Sequence, residues 1–228
     1  KILKSEKIMK FTALLPIKSE SQRVPNKNFK ILNNKTLFMW ILEKLVSINE
    51  IDQIIINTDA VRKVRNKLGN KINKKIFIKQ RIHKLKGNKV PMNKIIEHDL
   101  KDSKNENIIM THATNPLLTK SFIVKCIVKY KNSVKKNYDS LVTFDQLYGR
   151  FFDHNLKPIN HRKDQLIQTQ DLKPLYFENS NLYLFSVKSF KKKNNRIGNK
   201  PDFIISPKEI SLDIDNKEDW KIAEKLIK

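Results

Sequence analysis

Residues 11 to 28 read FTALLPIKSESQRVPNKN, an apolar run that passes directly into a polar loop. A short apolar run bounded by polar residues predicts a buried strand. The loop places Lys18, Arg23 and Lys27 close together, with the hydroxyl of Ser21 among them. Cations, a hydroxyl and backbone N–H groups in one turn suit the oxygens of a triphosphate. A solvated basic loop is the alternative. A Walker P-loop is excluded, because the glycines and the Gly-Lys-Ser/Thr ending are missing.

The alternation of strand and helix patterns continues along the chain. Further strands are predicted over residues 53–58, 75–79, 107–110, 140–144, 181–187 and 203–205. Helices are predicted over residues 37–48, 60–69, 91–100 and 119–130, and again after the capping residue Asn216. Continuous apolar runs separated by helices indicate a mainly parallel sheet covered on both faces. We therefore expect an α/β fold that binds ligands beyond the carboxyl ends of its strands.

One segment, residues 145–173, breaks this alternation. It is polar, irregular and carries the pair Phe151-Phe152, which has little to pack on within one subunit. These features indicate an inserted hairpin arm, called the arm below. We expect the chain, residues 1–228, to form a single domain from which the arm projects.

Composition limits the classes of protein that remain. The chain has 228 residues, a formal net charge of +24 and 39% hydrophobic residues, which is enough for a globular core. It contains no apolar stretch long enough to span a bilayer, and Lys1–Lys10 lacks the apolar run of a secretory signal, so we expect a cytoplasmic protein. The single cysteine, Cys126, is interpreted as a buried apolar residue. The lysines are spread evenly, so we do not expect nucleic acid or membrane as a partner, although polyanion binding stays an alternative.

A second set of polar residues lies near the end of the chain, in Leu212-Asp213-Ile214-Asp215-Asn216. In a strand, residues two apart face the same side, so Asp213 and Asp215 are expected to point together. Two such carboxylates next to nucleotide phosphates form a site for a hard cation, usually magnesium. The alternative is that one carboxylate caps the following helix and the other is solvated.

Six segments, in order, resemble the acylneuraminate cytidylyltransferase family, which comprises the CMP-sialic acid synthetases and relatives such as CMP-Kdo synthetase. The loop of residues 16–28 resembles the family pattern Pro-Ala-Arg-Gly-Gly-Ser-Lys-Arg-Ile-Pro-Gly-Lys-Asn. The others are Asn57-Thr58-Asp59, Arg81 with Val90-Pro91-Met92-Asn93, residues 111–118, Thr169-Gln170-Asp171 with residues 178–183, and Asp213-Ile214-Asp215 with Glu218-Asp219. The resemblance extends over about residues 11 to 227.

The resemblance implies a three-layer, Rossmann-like nucleotidyltransferase fold that transfers CMP from CTP to the anomeric hydroxyl of an acidic sugar. It implies that the CTP phosphates and ribose are held by Lys18, Ser21, Arg23, Lys27 and Asn28, and that the base pocket contains Arg81, Asn88 and Asn93. It implies sugar contacts from His112, Gln170, Glu178, Asn179 and Tyr183, and magnesium on Asp213 and Asp215. Lys18 and Lys27, with the two aspartates, would be the catalytic residues. The arm would reach a second subunit and complete a homodimer.

The chain departs from the family pattern at several of these positions. Lys18 replaces an arginine, which keeps the charge but loses the planar fork. Ser19-Glu20 replaces Gly-Gly, His112 replaces a glutamine, and Ser180 replaces a glycine. These changes leave the acidic sugar unspecified. The alternatives are a nucleotidyltransferase for another sugar or nucleotide, and a non-catalytic basic protein of the same fold that binds polyanions.

Overall fold

In the computed structural model, which describes residues 9–227, strands and helices alternate largely as the sequence predicts. The strands are β1 (Phe11–Leu14), β2 (Ile31–Leu32), β3 (Lys35–Thr36), β4 (Ile51–Thr58), β5 (Ile76–Gln80), β6 (Asn107–Met110), β7 (Ser140–Leu147), β8 (Leu175–Ser186) and β9 (Pro201–Ile205). The helices are α1 (Leu37–Val46), α2 (Val61–Leu68), α3 (Met92–Asp99), α4 (Lys120–Lys135), α5 (Val187–Lys193) and α6 (Lys217–Leu226). Most of the basic N-terminal stretch considered for a signal sequence lies outside the described residues.

The central sheet has seven strands in the order β5-β4-β1-β6-β8-β7-β9. Only β8 runs against its neighbours: it pairs antiparallel with β6 and β7, whereas the other pairs in this sheet are parallel. β2 and β3 form a separate two-stranded antiparallel ribbon. The prediction of a mainly parallel sheet is therefore confirmed.

Helices cover both faces of this sheet, which gives the three layers that the sequence predicts. Successive strand residues point to opposite faces, so Ala13 and Leu14 of β1 belong to different apolar clusters. The larger cluster packs the sheet against α1, α2 and α4, and the smaller one against α3 and α5. Cys126 on α4 is fully buried in the larger cluster, and this burial raises its thiol pKa to about 12, so the interpretation as an apolar core residue holds.

One prediction about local structure is wrong, and one helix was not predicted. Residues 211–215 form no strand: this extended stretch is an irregular connection between a 3-10 turn at Lys208–Ile210 and α6. Its backbone pairs instead with the loop after β6, through a bond from Ile214 N–H to the carbonyl of Thr114 (2.9 Å). Helix α5 was also missed, because its seven residues are mostly lysine and carry a weak apolar pattern. The predicted cap of α6 is confirmed: Asn216 and Asp219 form a reciprocal capping box.

The arm extends from the β7–β8 hairpin. The ladder continues outward from Phe144 paired with Glu178 to Leu147 paired with Leu175, and the residues beyond form an irregular tip.

Within the described residues, no helix is long and apolar enough to cross a membrane.

Candidate active site

A cleft of about 520 Å³ lies at the carboxyl ends of the parallel strands. Its position follows from the topology, because the loops after β1, β5 and β6 leave the sheet at one edge. The lining includes these residues predicted from the sequence: Lys18, Ser21, Arg23, Lys27, Asn28, Arg81, Asn88, His112, Asp213 and Asp215. A cleft of this volume is within the usual size range of small-molecule sites.

The loop after β1 is held in place by its own polar residues. Asn28 donates from Nδ2 to the carbonyl of Lys18 (3.0 Å), which closes the loop on itself. Both the N–H and the hydroxyl of Ser19 donate to the carboxylate of Asp59, at 2.7 and 2.9 Å. A glycine could donate the first of these bonds but not the second, so Ser19 adds one hydrogen bond between the loop and the residue that follows β4.

Cations from this loop meet the carboxylates near the end of the chain. Arg23 forms an ion pair with Asp215 at 2.8 Å, and Lys27 lies 3.6 Å from the same carboxylate. Lys27 is almost completely buried and donates to the carbonyl of Ile214. Burial lowers the pKa of Lys27 despite Asp215 and Asp213 nearby, and burial followed by the charge of Arg81 lowers that of Lys18. Cations that have lost part of their hydration can interact strongly with an anion that enters the cleft.

The second carboxylate, Asp213, is only partly compensated. Desolvation raises its pKa, and its Oδ1 atom is shielded from solvent with no hydrogen-bond partner among residues 9–227. Asp213 and Asp215 both line the cleft although no strand orients them, because the Ile214–Thr114 bond holds the segment between them. An unpartnered carboxylate oxygen beside a half-exposed carboxylate fits a hard cation that takes oxygen ligands. No group of three or more His, Cys, Asp or Glu side chains in the described chain could bind a metal alone, so the remaining ligands would be phosphate oxygens and water.

Arg81 lines the cleft, but most of its hydrogen bonds are directed into the fold. The side chain is 2% exposed and donates from Nε to Asn57 Oδ1 (2.7 Å) and from Nη2 to the carbonyl of Asn57 (2.8 Å). Asn57 in turn donates to the buried carboxylate of Asp99 on α3. Arg81 therefore ties the ends of β4 and β5 together under the cleft.

Of the residues predicted to contact the sugar, only His112 lines the cleft. His112 lines the cleft, and desolvation followed by the charges of Arg196 and Lys27 lowers its pKa to about 4, so it is neutral near pH 7. Asn179 is buried and donates to Asp145 and Ser206, which joins β7, β8 and the segment after β9. Gln170, Glu178 and Tyr183, also predicted to contact the sugar, lie outside the cleft lining, as does Asn93, which was predicted for the base pocket. Gln170 is exposed on the arm.

Comparison with known proteins identifies the family of the chain. The family model for cytidylyltransferases matches residues 12–226. The chain belongs to the cytidylyltransferase family.

Its relatives within the family are distant. An N-acylneuraminate cytidylyltransferase of Streptococcus agalactiae is 22% identical over 222 residues, which are 93% of this chain and 52% of that protein. The chain thus spans about half the length of these Streptococcus relatives. A pseudaminic acid cytidylyltransferase of Campylobacter jejuni is 21% identical over 230 residues, which are 96% of this chain and 97% of that protein.

Solved structures of cytidylyltransferases have the same fold. The 4-diphosphocytidyl-2C-methyl-D-erythritol synthase of Anaerococcus prevotii superposes with a TM-score of 0.65 at 12% identity and covers 95% of both chains. A CMP:2-keto-3-deoxy-manno-octonic acid synthetase in complex with CTP superposes with a TM-score of 0.64 at 10% identity, over 96% of this chain and 98% of that one. These likenesses confirm the predicted Rossmann-like nucleotidyltransferase fold.

In this member of the cytidylyltransferase family, the cleft also contains residues that the sequence did not predict. Ser180 and Arg196 line it, as does Thr114. Ser180 has a positive φ of 57°, at the position where the family pattern has a glycine, and that substitution was the only available signal for it. Arg196 follows α5 in a lysine-rich stretch, where one more basic residue carries no distinguishing pattern.

Proposed function

We propose that this protein transfers CMP from CTP to the anomeric hydroxyl of an acidic, ulosonic or nonulosonic sugar and releases pyrophosphate. The observation that carries the proposal is the meeting of Arg23 and Lys27 with Asp215 in one cleft. Cations alone would suit any polyanion. Carboxylates set among phosphate-binding cations make chemical sense when a metal ion accompanies the phosphates.

In the reaction, an oxygen–phosphorus bond forms at the α-phosphorus as the bond to pyrophosphate breaks. Negative charge therefore accumulates on the departing oxygens. Lys27 and Lys18 carry partly desolvated cations into the cleft and would stabilise that charge. The protein contributes alignment and charge stabilisation, as is general for phosphoryl transfer.

Asp213 and Asp215 are the residues that would hold magnesium. Arg23 and Lys27 neutralise Asp215 in the free protein, and they would turn to the phosphates once a divalent ion neutralises the carboxylates instead. When bound, magnesium supplies charge neutralisation on the phosphates. The unpartnered Asp213 Oδ1 supports this assignment.

An acidic sugar as acceptor is supported by the names of the relatives, which are cytidylyltransferases of N-acylneuraminate and of pseudaminic acid.

We also infer that the protein is a homodimer joined through the arm. The support is the exposed apolar surface at the arm, where the side chains of Tyr148, Leu156 and Leu166 are 54%, 73% and 92% exposed. Several large apolar side chains exposed on one segment are consistent with an interface.

The test is pyrophosphate release measured with each of the four nucleoside triphosphates and a panel of acids. The panel contains N-acetylneuraminic, pseudaminic and legionaminic acids and 2-keto-3-deoxy-manno-octonic acid, with no-sugar and EDTA controls. We expect turnover with CTP, with one acid strongly preferred, and loss of turnover in EDTA. Preference for another nucleotide, or no turnover of CTP with any acid, would overturn the proposal.

A further inference from the structure

Arg196 is a cleft residue whose position is set by a cluster behind it. Its guanidinium stacks on the buried ring of Tyr183, with Cζ 3.8 Å from the ring centroid. Nη2 donates to the Tyr183 hydroxyl at 2.9 Å and lies 3.5 Å from Glu178. The stacked ring and the hydroxyl fix the plane of the guanidinium before any ligand arrives, so little side-chain entropy remains to be lost on binding.

The guanidinium of Arg196 has N–H donors that lack a strong acceptor among the described residues. Nη1 has only the thioether sulfur of Met110 as an acceptor among the described residues, at 3.8 Å. A thioether is a weak acceptor, whereas a guanidinium prefers two oxygens of a planar anion. Glu178 contacts the guanidinium through Nη2 and lies outside the cleft lining, so it does not occupy Nη1.

Arg196 also adds a positive charge to the cleft from outside the loop of residues 16–28, called the phosphate loop below. His112 lines the same cleft and is neutral near pH 7, so it adds no positive charge there. The phosphate loop already supplies Lys18, Arg23 and Lys27 for a nucleotide. Arg81 also lines the cleft, but its side chain donates to Asn57 within the fold. Arg196 is therefore a further fixed cation in the cleft, and it suits an anionic group on the second substrate.

From this arrangement we propose that Arg196 binds the carboxylate of the acceptor sugar and makes this enzyme selective for acidic sugars, with Ser180 beside it in the cleft. The inference rests on the proposed function. It names a specificity-determining residue that acts on the sugar and not on CTP.

The experiment compares Arg196→Gln and Arg196→Lys with the wild type, on the preferred acid and on its carboxamide, with CTP saturating. Arg62→Gln on α2, exposed and outside the cleft, is the matched control. We expect Arg196→Gln to raise the KM for the acid about tenfold to a hundredfold, the range for loss of a charge-assisted bond. Arg196→Lys should show a smaller rise. Turnover of the carboxamide and the KM for CTP should stay within about threefold in both variants.

Equal losses on the acid and the carboxamide would overturn the inference, because they indicate that Arg196 only supports Tyr183. A rise in the KM for CTP with the acid unaffected would also overturn it. If Arg196→Gln does not fold, the acid-to-carboxamide ratio of Arg196→Lys decides. Failure of the proposed function is distinct, since the wild type itself would then show no turnover with CTP.

Discussion

At the scale of single residues, the candidate site places cations of one loop next to two carboxylates near the end of the chain. Arg23 and Asp215 are 192 positions apart in the chain and 2.8 Å apart in space. Exposed ion pairs contribute little to stability, because solvent screens them. The arrangement is therefore better explained by a ligand that separates the pair than by a contribution to folding.

Replacement of Asp215 by alanine should abolish turnover and leave the fold intact. The carboxylate is half-exposed, and Arg23 can return to solvent when its partner is removed. Loss of this charge should lower kcat by about a thousandfold or more. The measurement is kcat at saturating magnesium together with a thermal melt, and Glu218→Ala, an exposed acid on α6, is the control. Near-normal turnover in Asp215→Ala would contradict the magnesium assignment.

Lys27→Met should lower both kcat and kcat/KM for CTP by about a hundredfold, since methionine keeps much of the volume and removes the charge. The sequence suggests a loop lysine whose loss leaves the melting temperature unchanged. The structure revises this expectation, because Lys27 is buried and donates to Ile214. A measurable fall in melting temperature should accompany the kinetic loss. Lys30→Met, an exposed neighbour, is the control, and wild-type kinetics in Lys27→Met would rule out a role on the phosphates.

At the scale of elements, a buried polar network joins α3 to the sheet beneath the cleft. Asp99 on α3 accepts from Asn57 on β4, and Asn57 accepts from Arg81 after β5. Lys79 on β5 lies 3.7 Å from Asp99. Such a network positions three elements at once, and each member depends on the others for compensation.

Asp99 should make the stability of the protein depend on pH. Its burial raises its pKa from 3.8 to about 6, although Asn57, Lys79 and Arg81 act in the opposite direction. Between about pH 4 and 6 the folded state retains a proton that the unfolded state releases, so stability falls as pH rises through this window. The shift of about two units corresponds to about 3 kcal/mol at most.

The measurement is urea unfolding at several pH values from 4 to 7. In Asp99→Asn, the free energy of unfolding should no longer fall as the pH rises from about 4 to 6. In the control Asp52→Asn, at an exposed position, that fall should remain. An Asp99→Asn profile parallel to the wild type would show that Asp99 ionises normally in the fold.

At the scale of the whole molecule, the arm is a segment that leaves large apolar side chains exposed. Ile159 and Leu166 are 54% and 92% exposed at its irregular tip. The proposed homodimer would bury these side chains against a second copy of the chain.

We expect a dimer by light scattering at micromolar concentration. The double substitution Ile159→Asp with Leu166→Asp should yield a monomer, because it places two charges in an apolar interface. Ile222→Asp, at an exposed position on α6 far along the chain from the arm, should leave the dimer unchanged. A wild-type monomer would count against the arm as an interface.

Much of the fold was determined by local sequence patterns. The apolar runs at β1, β4 and β6 and the capping residue Asn216 predict their elements because these signals depend on neighbours a few positions away. The same holds for the cations of the phosphate loop, which lie in one short segment after a strand.

Only the tertiary structure decided how residues distant in sequence share the cleft. Arg196 gains its role from stacking on Tyr183, and Asp99 and Arg81 gain theirs through Asn57. Asp213 and Asp215 point into the cleft through the bond of Ile214 to Thr114 and not through a strand. The physical reason is that burial, desolvation and hydrogen-bond partners arise from packing between elements, and no local periodicity encodes which distant groups will meet.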